Sequence, residues 1–237
     1  MNVNFSTILA SESETIVYLP GCPLYCRNCN TPQLVRENSF EERSVEELFF
    51  ILKDSKNKRI YFKGGEPLMQ GNALLELFKL LKREGFFIKI ETSGFYGEEL
   101  RYVTPYVDWV ALDVKASLNV IDFGKAGGLH GDIFLSGLFK SIAFLENFKG
   151  VKEVRTTIIK GLNDSEEIID EISKYVRFCD YYFLQEYNPE NNLIPGCEGV
   201  SVERMNELGL EACKNVKNVF LRLKNGEELK VEIKRSV

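Results

Sequence analysis

The sequence predicts an α/β fold with a parallel sheet, and two observations carry this prediction. Six times in a row, a short run rich in β-branched or aromatic residues is followed by a longer amphipathic stretch. The length of 237 residues also suits an α/β barrel that forms one domain. Right-handed crossovers would curl such a sheet into a full or partial barrel, and a doubly wound open sheet is the main alternative.

The predicted strands are short and the predicted helices between them are longer. Ser44 and Glu47 form a capping-box pattern, and Asp164 and Ser201 are the other predicted N-caps. The strands cover residues 15–19, 59–62, 86–90, 109–112, 153–159 and 181–184. The helices cover residues 44–52, 73–82, 98–103, 134–145 and 164–176, and a last helix runs from Ser201 towards Cys213.

The C-terminal end breaks this alternation. Two β-rich runs, residues 219–223 and 229–233, flank Asn225-Gly226, a dipeptide typical of type I′ turns. The sequence therefore predicts a C-terminal β-hairpin, which with the preceding helix covers about residues 201–235. We expect a single domain over residues 1–237, with its core over about residues 5–190.

Charge and hydropathy exclude several classes of protein. Lys plus Arg number 30 against 35 for Asp plus Glu, a net charge of −5 that argues against a general nucleic-acid binder. No apolar run approaches the roughly 18 residues that a membrane span needs. The first residues also lack the charged and apolar regions of a secretory signal. We therefore expect a cytoplasmic protein that binds neither nucleic acid nor membrane.

Three of the six cysteines are clustered. Cys22, Cys26 and Cys29 fall within eight residues, whereas the remaining cysteines are scattered. In a chain without a secretory pattern, clustered thiols indicate metal ligands more than disulfide bonds. The scattered cysteines are interpreted as ordinary buried or surface thiols; they are Cys179, Cys197 and Cys213.

The thiol cluster has several possible roles. Structural zinc sites and electron-transfer iron–sulfur clusters normally use four protein ligands, but no fourth cysteine lies nearby and His130 is the only histidine. Three thiolates on a four-iron cluster would leave one iron open to a substrate or cofactor, as in catalytic zinc sites. Inert buried thiols are the alternative.

Polar residues and glycines follow the predicted strands. Because the carboxyl ends of parallel strands meet at one edge, these residues are expected to lie together. Each motif alone has an ordinary explanation, such as a tight turn or a surface ion pair, but the complete set predicts a functional site. After the cysteine loop come Gly64-Gly65-Glu66-Pro67, Glu91-Thr92-Ser93-Gly94, Asp113-Val114-Lys115, Arg155-Thr156-Thr157 and Gln185-Glu186-Tyr187.

Four of these features, in this order, resemble the radical S-adenosylmethionine (SAM) superfamily from about residue 5 to about residue 190: the cysteine loop, Gly64-Gly65-Glu66-Pro67, Glu91-Thr92-Ser93-Gly94 and Asp113-Val114-Lys115. The resemblance implies a partial (β/α)6 barrel and one 4Fe–4S cluster held by Cys22, Cys26 and Cys29, whose remaining iron binds SAM. Reductive cleavage of SAM would then produce methionine and a 5′-deoxyadenosyl radical that abstracts a hydrogen atom.

The resemblance also implies contacts with SAM. Gly64 and Gly65 would meet the methionine amine, Glu91 would lie near the sulfonium and ribose, Asp113 would accept from the ribose and Lys115 would meet the carboxylate. Two residues depart from the family pattern. Asn28 lies where the family often carries an aromatic residue that contacts adenine, and Gln185 lies where some relatives carry a histidine. The implied SAM-binding set is completed by Glu66, Ser93 and Arg155.

The compact chain has no cysteine-rich extension for further clusters, and so it most resembles the activating enzymes of glycyl-radical proteins. The branch that activates anaerobic ribonucleotide reductase is the closest, given the Arg155-Thr156-Thr157 strand. The implied partners are a glycyl-radical enzyme and a low-potential electron donor such as flavodoxin or ferredoxin. One alternative is a small-molecule enzyme related to the 7-carboxy-7-deazaguanine synthases. Another is a non-catalytic iron–sulfur or zinc protein.

Overall fold

The computed structural model describes residues 1–29, 31–35, 40–128, 131–189 and 196–233, and it confirms an α/β fold with mostly parallel strand pairs. The strands are β1 Asn2–Phe5, β2 Thr7–Ala10, β3 Thr15–Leu19, β4 Glu41–Ser44, β5 Arg59–Gly64, β6 Phe87–Thr92, β7 Trp109–Asp113, β8 Val151–Thr157, β9 Tyr181–Gln185, β10 Val219–Arg222 and β11 Glu228–Lys230.

Helices connect the strands from β3 to β10. They are α1 Pro32–Val35, α2 Val45–Lys53, α3 Gly71–Arg83, α4 Gly97–Val103, α5 Val120–Gly127, α6 Gly131–Glu146, α7 Glu166–Tyr175 and α8 Val202–Ala212, with 3-10 turns at Pro67–Gln70 and Thr104–Tyr106. Within the described ranges, none of the helices has the length and apolar composition to cross a membrane.

The chain divides into two compact units, which are described separately. The first comprises Met1–Leu24, Thr31–Ala111 and Gly137–Val151, and the second comprises Tyr25–Asn30, Leu112–Ser136 and Lys152–Val237. The boundary passes through β7. The single domain expected from the sequence stays a prediction.

In the first unit, β3, β5 and β6 pair in parallel, and β2 pairs antiparallel with the outer edge of β3. One face of this sheet is covered by helices, because Phe62 of β5 packs against Phe78 of α3 with ring centroids 4.8 Å apart. The opposite face carries polar and charged side chains such as Lys63 and Glu91, which lie 3.7 Å apart. The N-terminal β1 pairs separately with β4, and the sequence did not predict β1, β2 or β4.

In the second unit, β8 and β9 pair in parallel, and the predicted C-terminal hairpin is confirmed by antiparallel pairing of β10 with β11. Strand β10 also pairs in parallel with β9, so the hairpin extends the parallel sheet instead of standing apart from it. This pairing places Arg222 opposite Gln185.

The predicted type I′ turn of this hairpin is wrong. Only Gly226 of the two turn residues has positive φ, at 88°, whereas a type I′ turn needs positive φ at both. The Gly226 amide donates to Leu223 O at 2.9 Å, and the Asn225 side chain accepts from Glu227 N at 2.9 Å. The loop is therefore a type I turn followed by a left-handed glycine, because the Asn225 side chain binds the loop backbone locally.

Three N-caps were predicted from the sequence, and the structure confirms two of them. Ser44 forms the full capping box with Glu47, and Ser201 accepts from Arg204 N. The predicted cap at Asp164 is wrong, because Ser165 is the N-cap of α7. The Asp164 carboxylate instead accepts from Gly161 N at 2.9 Å and closes the preceding turn.

Candidate functional site

The glycine turn after β5 packs directly against the loop that leads into Cys22. Gly65 N donates to Leu19 O at 2.8 Å, and Glu66 N donates to Gly21 O at the same distance. A Cβ on Gly65 would lie 2.1 Å from Gly21 O, and one on Gly64 would lie 2.5 Å from Leu19 O. The two glycines are therefore required so that two strand ends can touch, a role that the sequence alone did not reveal.

Glu66 joins the ends of β5 and β6. Its side chain is 1% exposed, and one oxygen accepts from Leu68 N at 3.1 Å and Thr92 Oγ1 at 2.9 Å. The other oxygen accepts from Ser93 N at 2.8 Å and Ser93 Oγ at 2.6 Å. Desolvation raises the pKa of this carboxyl, although the hydrogen bonds oppose the shift. Glu66 and Ser93 thus hold the turn in place, and their predicted contacts with SAM stay predictions.

Glu91 lies on the sheet face opposite the helices. Its carboxylate accepts from the Tyr61 hydroxyl and forms an ion pair with Lys63. The neighbouring Lys89 lies over the Trp109 ring, 4.3 Å from its centroid. The face therefore combines cations, a carboxylate and aromatic rings, and it suits a polar ligand. The predicted role of Glu91 beside SAM stays a prediction.

The three clustered thiols are divided between the two units. Cys22 lies in the first, and Cys26 and Cys29 lie in the second. None of the six cysteines forms a disulfide bond. Across the described ranges, no group of three or more Cys, His, Asp or Glu side chains is already gathered for a metal ion. The cluster assignment therefore depends on the chemistry of the donors. Asn30, at the end of this loop, lies outside the described residues.

Backbone bonds attach the second part of the thiol loop to the end of α5. Tyr25 N donates to Gly127 O at 2.8 Å, and Arg27 N donates to Ala126 O at 3.4 Å. Gly128, with φ of 71°, ends the helix, and a Cβ there would lie 2.6 Å from Tyr25 O. Helix α5 was not predicted, so this attachment could not be predicted from the sequence. Asn28 lies in the turn of this loop and is partly exposed.

Burial and the positive charge of Lys115 act in opposite directions on the pKa of the Cys26 thiol. Desolvation raises the pKa of its thiol to about 11, and Lys115 lowers that pKa, while Cys29 and Asp113 raise it further. These groups are therefore electrostatic neighbours within the second unit. A thiolate at Cys26 is favoured by an adjacent cation, and a bound metal ion would supply much more positive charge than Lys115 alone.

Asp113 and Lys115 form an ion pair with 3.3 Å between Oδ2 and Nζ. The other carboxylate oxygen, Asp113 Oδ1, is buried and has no hydrogen-bond donor among the described residues. Buried carboxylate oxygens without donors are rare, and each calls for a missing donor such as a ligand hydroxyl. This oxygen fits the ribose acceptor that the family resemblance implies.

Asn163 secures the strand ends around this pair, and the sequence did not single it out. It is fully buried, and its amide donates to Lys115 O at 2.9 Å and Thr157 O at 2.8 Å. Its carbonyl accepts from Ile159 N at 2.8 Å. An asparagine soon after a predicted strand is a common turn residue, so only the fold distinguishes it.

Arg155 and Gln185 occupy neighbouring strands of the second unit. Arg155 is 6% exposed, and its Nε donates to Glu153 at 2.5 Å. Gln185 is the last residue of β9, opposite Thr157 in β8. The predicted contacts of both residues with SAM stay predictions.

The donor chemistry of the described residues fits a 4Fe–4S cluster and SAM. Three thiols without a fourth cysteine nearby suit a cluster with one open iron. Asp113 Oδ1, which lacks a donor in the described part of the chain, and the cation of Lys115 suit the hydroxyl and carboxylate groups of SAM. Asn163 holds the backbone at Lys115, so these two groups have a fixed support.

Known proteins resemble the chain along most of its length. A protein of Methanocaldococcus jannaschii named as a glycyl-radical enzyme activating enzyme is 29% identical over 235 residues, covering 94% of this chain and 95% of the relative. A pyruvate formate-lyase-activating enzyme of Clostridium pasteurianum is 30% identical over 176 residues, covering 69% of each chain.

A solved structure shares the fold, and a family model gives the class. The structure of a radical SAM methyltransferase from Sphaerobacter thermophilus shares the fold with a TM-score of 0.70 at 17% identity, covering 95% of this chain and 73% of that one. The family model described as the radical SAM superfamily matches residues 16–172. Because this match spans more than half of the sequence, the chain belongs to the radical SAM superfamily.

Proposed function

We propose that this chain activates a glycyl-radical enzyme by cleaving SAM reductively and removing a hydrogen atom from one glycine Cα of that partner. The main support for this proposal is the similarity to a relative named as such an activating enzyme. This similarity extends over nearly the whole length of both chains. The relative named as a pyruvate formate-lyase-activating enzyme supports the same class of partner.

Members of the superfamily use a 4Fe–4S cluster with SAM, and here Cys22, Cys26 and Cys29 would hold the cluster. When bound and reduced, the cluster supplies the electron that splits SAM into methionine and a 5′-deoxyadenosyl radical, which abstracts the hydrogen atom. The chain itself must release the Cys26 proton, because burial raises the pKa of that thiol to about 11. Lys115 assists this release by stabilising the thiolate.

The second unit would hold the nucleoside and carboxylate of SAM. Asp113 Oδ1, which has no donor among the described residues, would accept from a ribose hydroxyl. Lys115 would pair with the SAM carboxylate, and its side chain is only 11% exposed, so solvent screens that attraction weakly. Charge-assisted bonds of this kind are about twice as strong as neutral ones.

The chemistry of glycine suits the proposed target. A radical at the glycine Cα is delocalised between the flanking amides, and the missing side chain lets the backbone approach closely. Anaerobic ribonucleotide reductase is our candidate partner, and flavodoxin or ferredoxin is our candidate electron donor. Because a cluster with an open iron is sensitive to oxygen, we place the protein in an anaerobic cytoplasm.

The first experiment compares two thiols of the second unit. Anaerobically reconstituted wild type should contain about four irons per chain and produce 5′-deoxyadenosine after reduction with SAM present. Cys26→Ala should lose both the cluster and the product. Cys213→Ala is the matched control, because this partly exposed thiol lies outside the cluster loop, and it should retain both. Full 5′-deoxyadenosine formation by Cys26→Ala would contradict the assignment.

The second experiment identifies the substrate class. Candidate glycyl-radical enzymes are incubated with the reduced holoenzyme and SAM, and electron spin resonance is recorded. A doublet that collapses when the partner contains α-deuterated glycine, with deuterium recovered in 5′-deoxyadenosine, is the expected result. Formation of 5′-deoxyadenosine without a glycyl radical on any encoded partner would favour the small-molecule alternative.

A further inference from the structure

The C-terminal strand β10 supplies a second guanidinium to a fully buried carboxylate. Glu153 in β8 is 0% exposed, and its Oε1 accepts from Arg155 Nε at 2.5 Å and from Arg222 Nη1 at 3.0 Å. A carboxylate buried this completely is stable only when it is paired and hydrogen bonded. Glu153 therefore links the side chain of Arg155 to a residue outside the six predicted strand–helix units.

Arg222 is itself held from two further sides. Its Nε donates to Glu228 of β11 at 2.8 Å, and its guanidinium lies 3.8 Å from the centroid of the Phe183 ring. Phe183 in turn stacks on Phe220 with 5.3 Å between ring centroids. These contacts restrict the Arg222 side chain, so the arginine can transmit the position of the hairpin to Glu153.

Arg155 in β8 lies beside the segment of the chain that carries Asp113 and Lys115. Val114, the residue between these two, donates its amide to Arg155 O at 2.8 Å, and Val114 O accepts from Thr156 Oγ1 at 2.8 Å. The backbone of Arg155 is therefore bonded to the segment that carries the proposed SAM ligands.

Charge strengthens this link. The two guanidinium groups of Arg155 and Arg222 balance the two carboxylates of Glu153 and Glu228. Without Arg222, one guanidinium would remain with two carboxylates in this group of four side chains. The attraction of this strand end for an anionic ligand group would then fall.

We propose that Arg222 is a positioning residue for SAM: acting through Glu153, it holds the Arg155 guanidinium in the place that favours the bound nucleotide. The C-terminal hairpin thereby sets the affinity for SAM from outside the six-unit core. This inference depends on the proposed function, because SAM binding is the property that Arg155 would serve.

The test uses the reconstituted holoenzyme and equilibrium dialysis with radiolabelled SAM. Arg222→Met should raise the Kd for SAM by about tenfold, the loss expected for one charge-assisted contact. Arg222→Lys should recover most of the affinity, because the ammonium can still pair with Glu153. Glu227→Gln, an exposed change in the loop of the same hairpin, is the matched control and should leave the Kd unchanged.

A crystal structure of Arg222→Met separates this inference from the proposed function. We expect the Arg155 guanidinium to leave its wild-type position once Glu153 has lost its bond to Arg222. An unchanged Arg155, or a wild-type Kd in Arg222→Met despite lower thermal stability, would overturn the positioning role. Failure of wild-type holoenzyme to bind SAM would instead overturn the proposed function, and the placement of Arg155 would still decide the structural part.

Discussion

Two carboxylates at strand ends, Glu66 in the first unit and Asp113 in the second, have opposite surroundings. Both Glu66 oxygens accept hydrogen bonds from the turn and from the end of β6. Asp113 pairs with Lys115 through one oxygen, while the other is buried without a donor among the described residues. The sequence placed both residues in one cofactor-binding set.

This difference distinguishes a carboxylate that stabilises the fold from one that is able to bind a ligand. A buried carboxylate whose donors all come from nearby backbone and hydroxyl groups stabilises the fold that presents a site. A buried oxygen that still lacks a donor is instead able to bind a ligand. The next three predictions use stability and SAM affinity to test this division, from the largest expected effect to the smallest.

Gly65→Ala should have the largest effect on stability. The added Cβ would lie 2.1 Å from Gly21 O, a backbone atom that cannot rotate away. We expect a loss of about 3 kcal/mol in the free energy of unfolding, measured by urea denaturation. Gly199→Ala is the control, because its nearest neighbour would be 3.4 Å away. Equal stability of the two variants would show that the turn is not closely packed.

Glu66→Gln should lower stability by about 2 kcal/mol, because an amide nitrogen cannot accept from the Ser93 backbone N–H. Glu98→Gln, in the exposed part of the same unit, is the control and should change little. Burial raises the pKa of Glu66 above 4.5, so the folded state holds this proton more tightly than the unfolded state.

The pH dependence of this effect has a definite sign. The stabilising contribution of the protonated carboxyl is complete below pH 4.5 and is lost as the pH rises through the folded-state pKa. The stability difference between wild type and Glu66→Gln should therefore shrink with rising pH in urea denaturation series. A difference that grows with pH would show that the hydrogen bonds to the charged form outweigh desolvation.

Asp113→Asn should change stability least, by less than about 1 kcal/mol, because the asparagine amide keeps an oxygen that can accept from Lys115. Its Kd for SAM should nevertheless rise about tenfold in equilibrium dialysis, through loss of the charged acceptor. Asp132→Asn, an exposed change in α6, is the control. If Asp113→Asn lost stability but kept wild-type affinity, the assignment of Asp113 to ligand recognition would be wrong.

Local sequence rules predicted the regular elements because their causes are local. The capping box at Ser44 depends on residues three positions apart, and the predicted β5 and α3 follow from hydrophobic periodicity. The predictions failed where side chains compete for the backbone. Asp164 bonds to the turn before α7, and Asn225 bonds within its own loop.

By itself, the sequence determined the alternating α/β pattern and the set of chemical groups at the strand ends, since periodicity and residue type are local properties. Only the tertiary structure decided which of these groups are already bonded and which are left to bind a ligand. It also joined β10 to β9 and thereby brought Arg222 to Glu153, 69 residues away along the chain. Such contacts depend on how distant segments pack, and no local pattern encodes the distance between them.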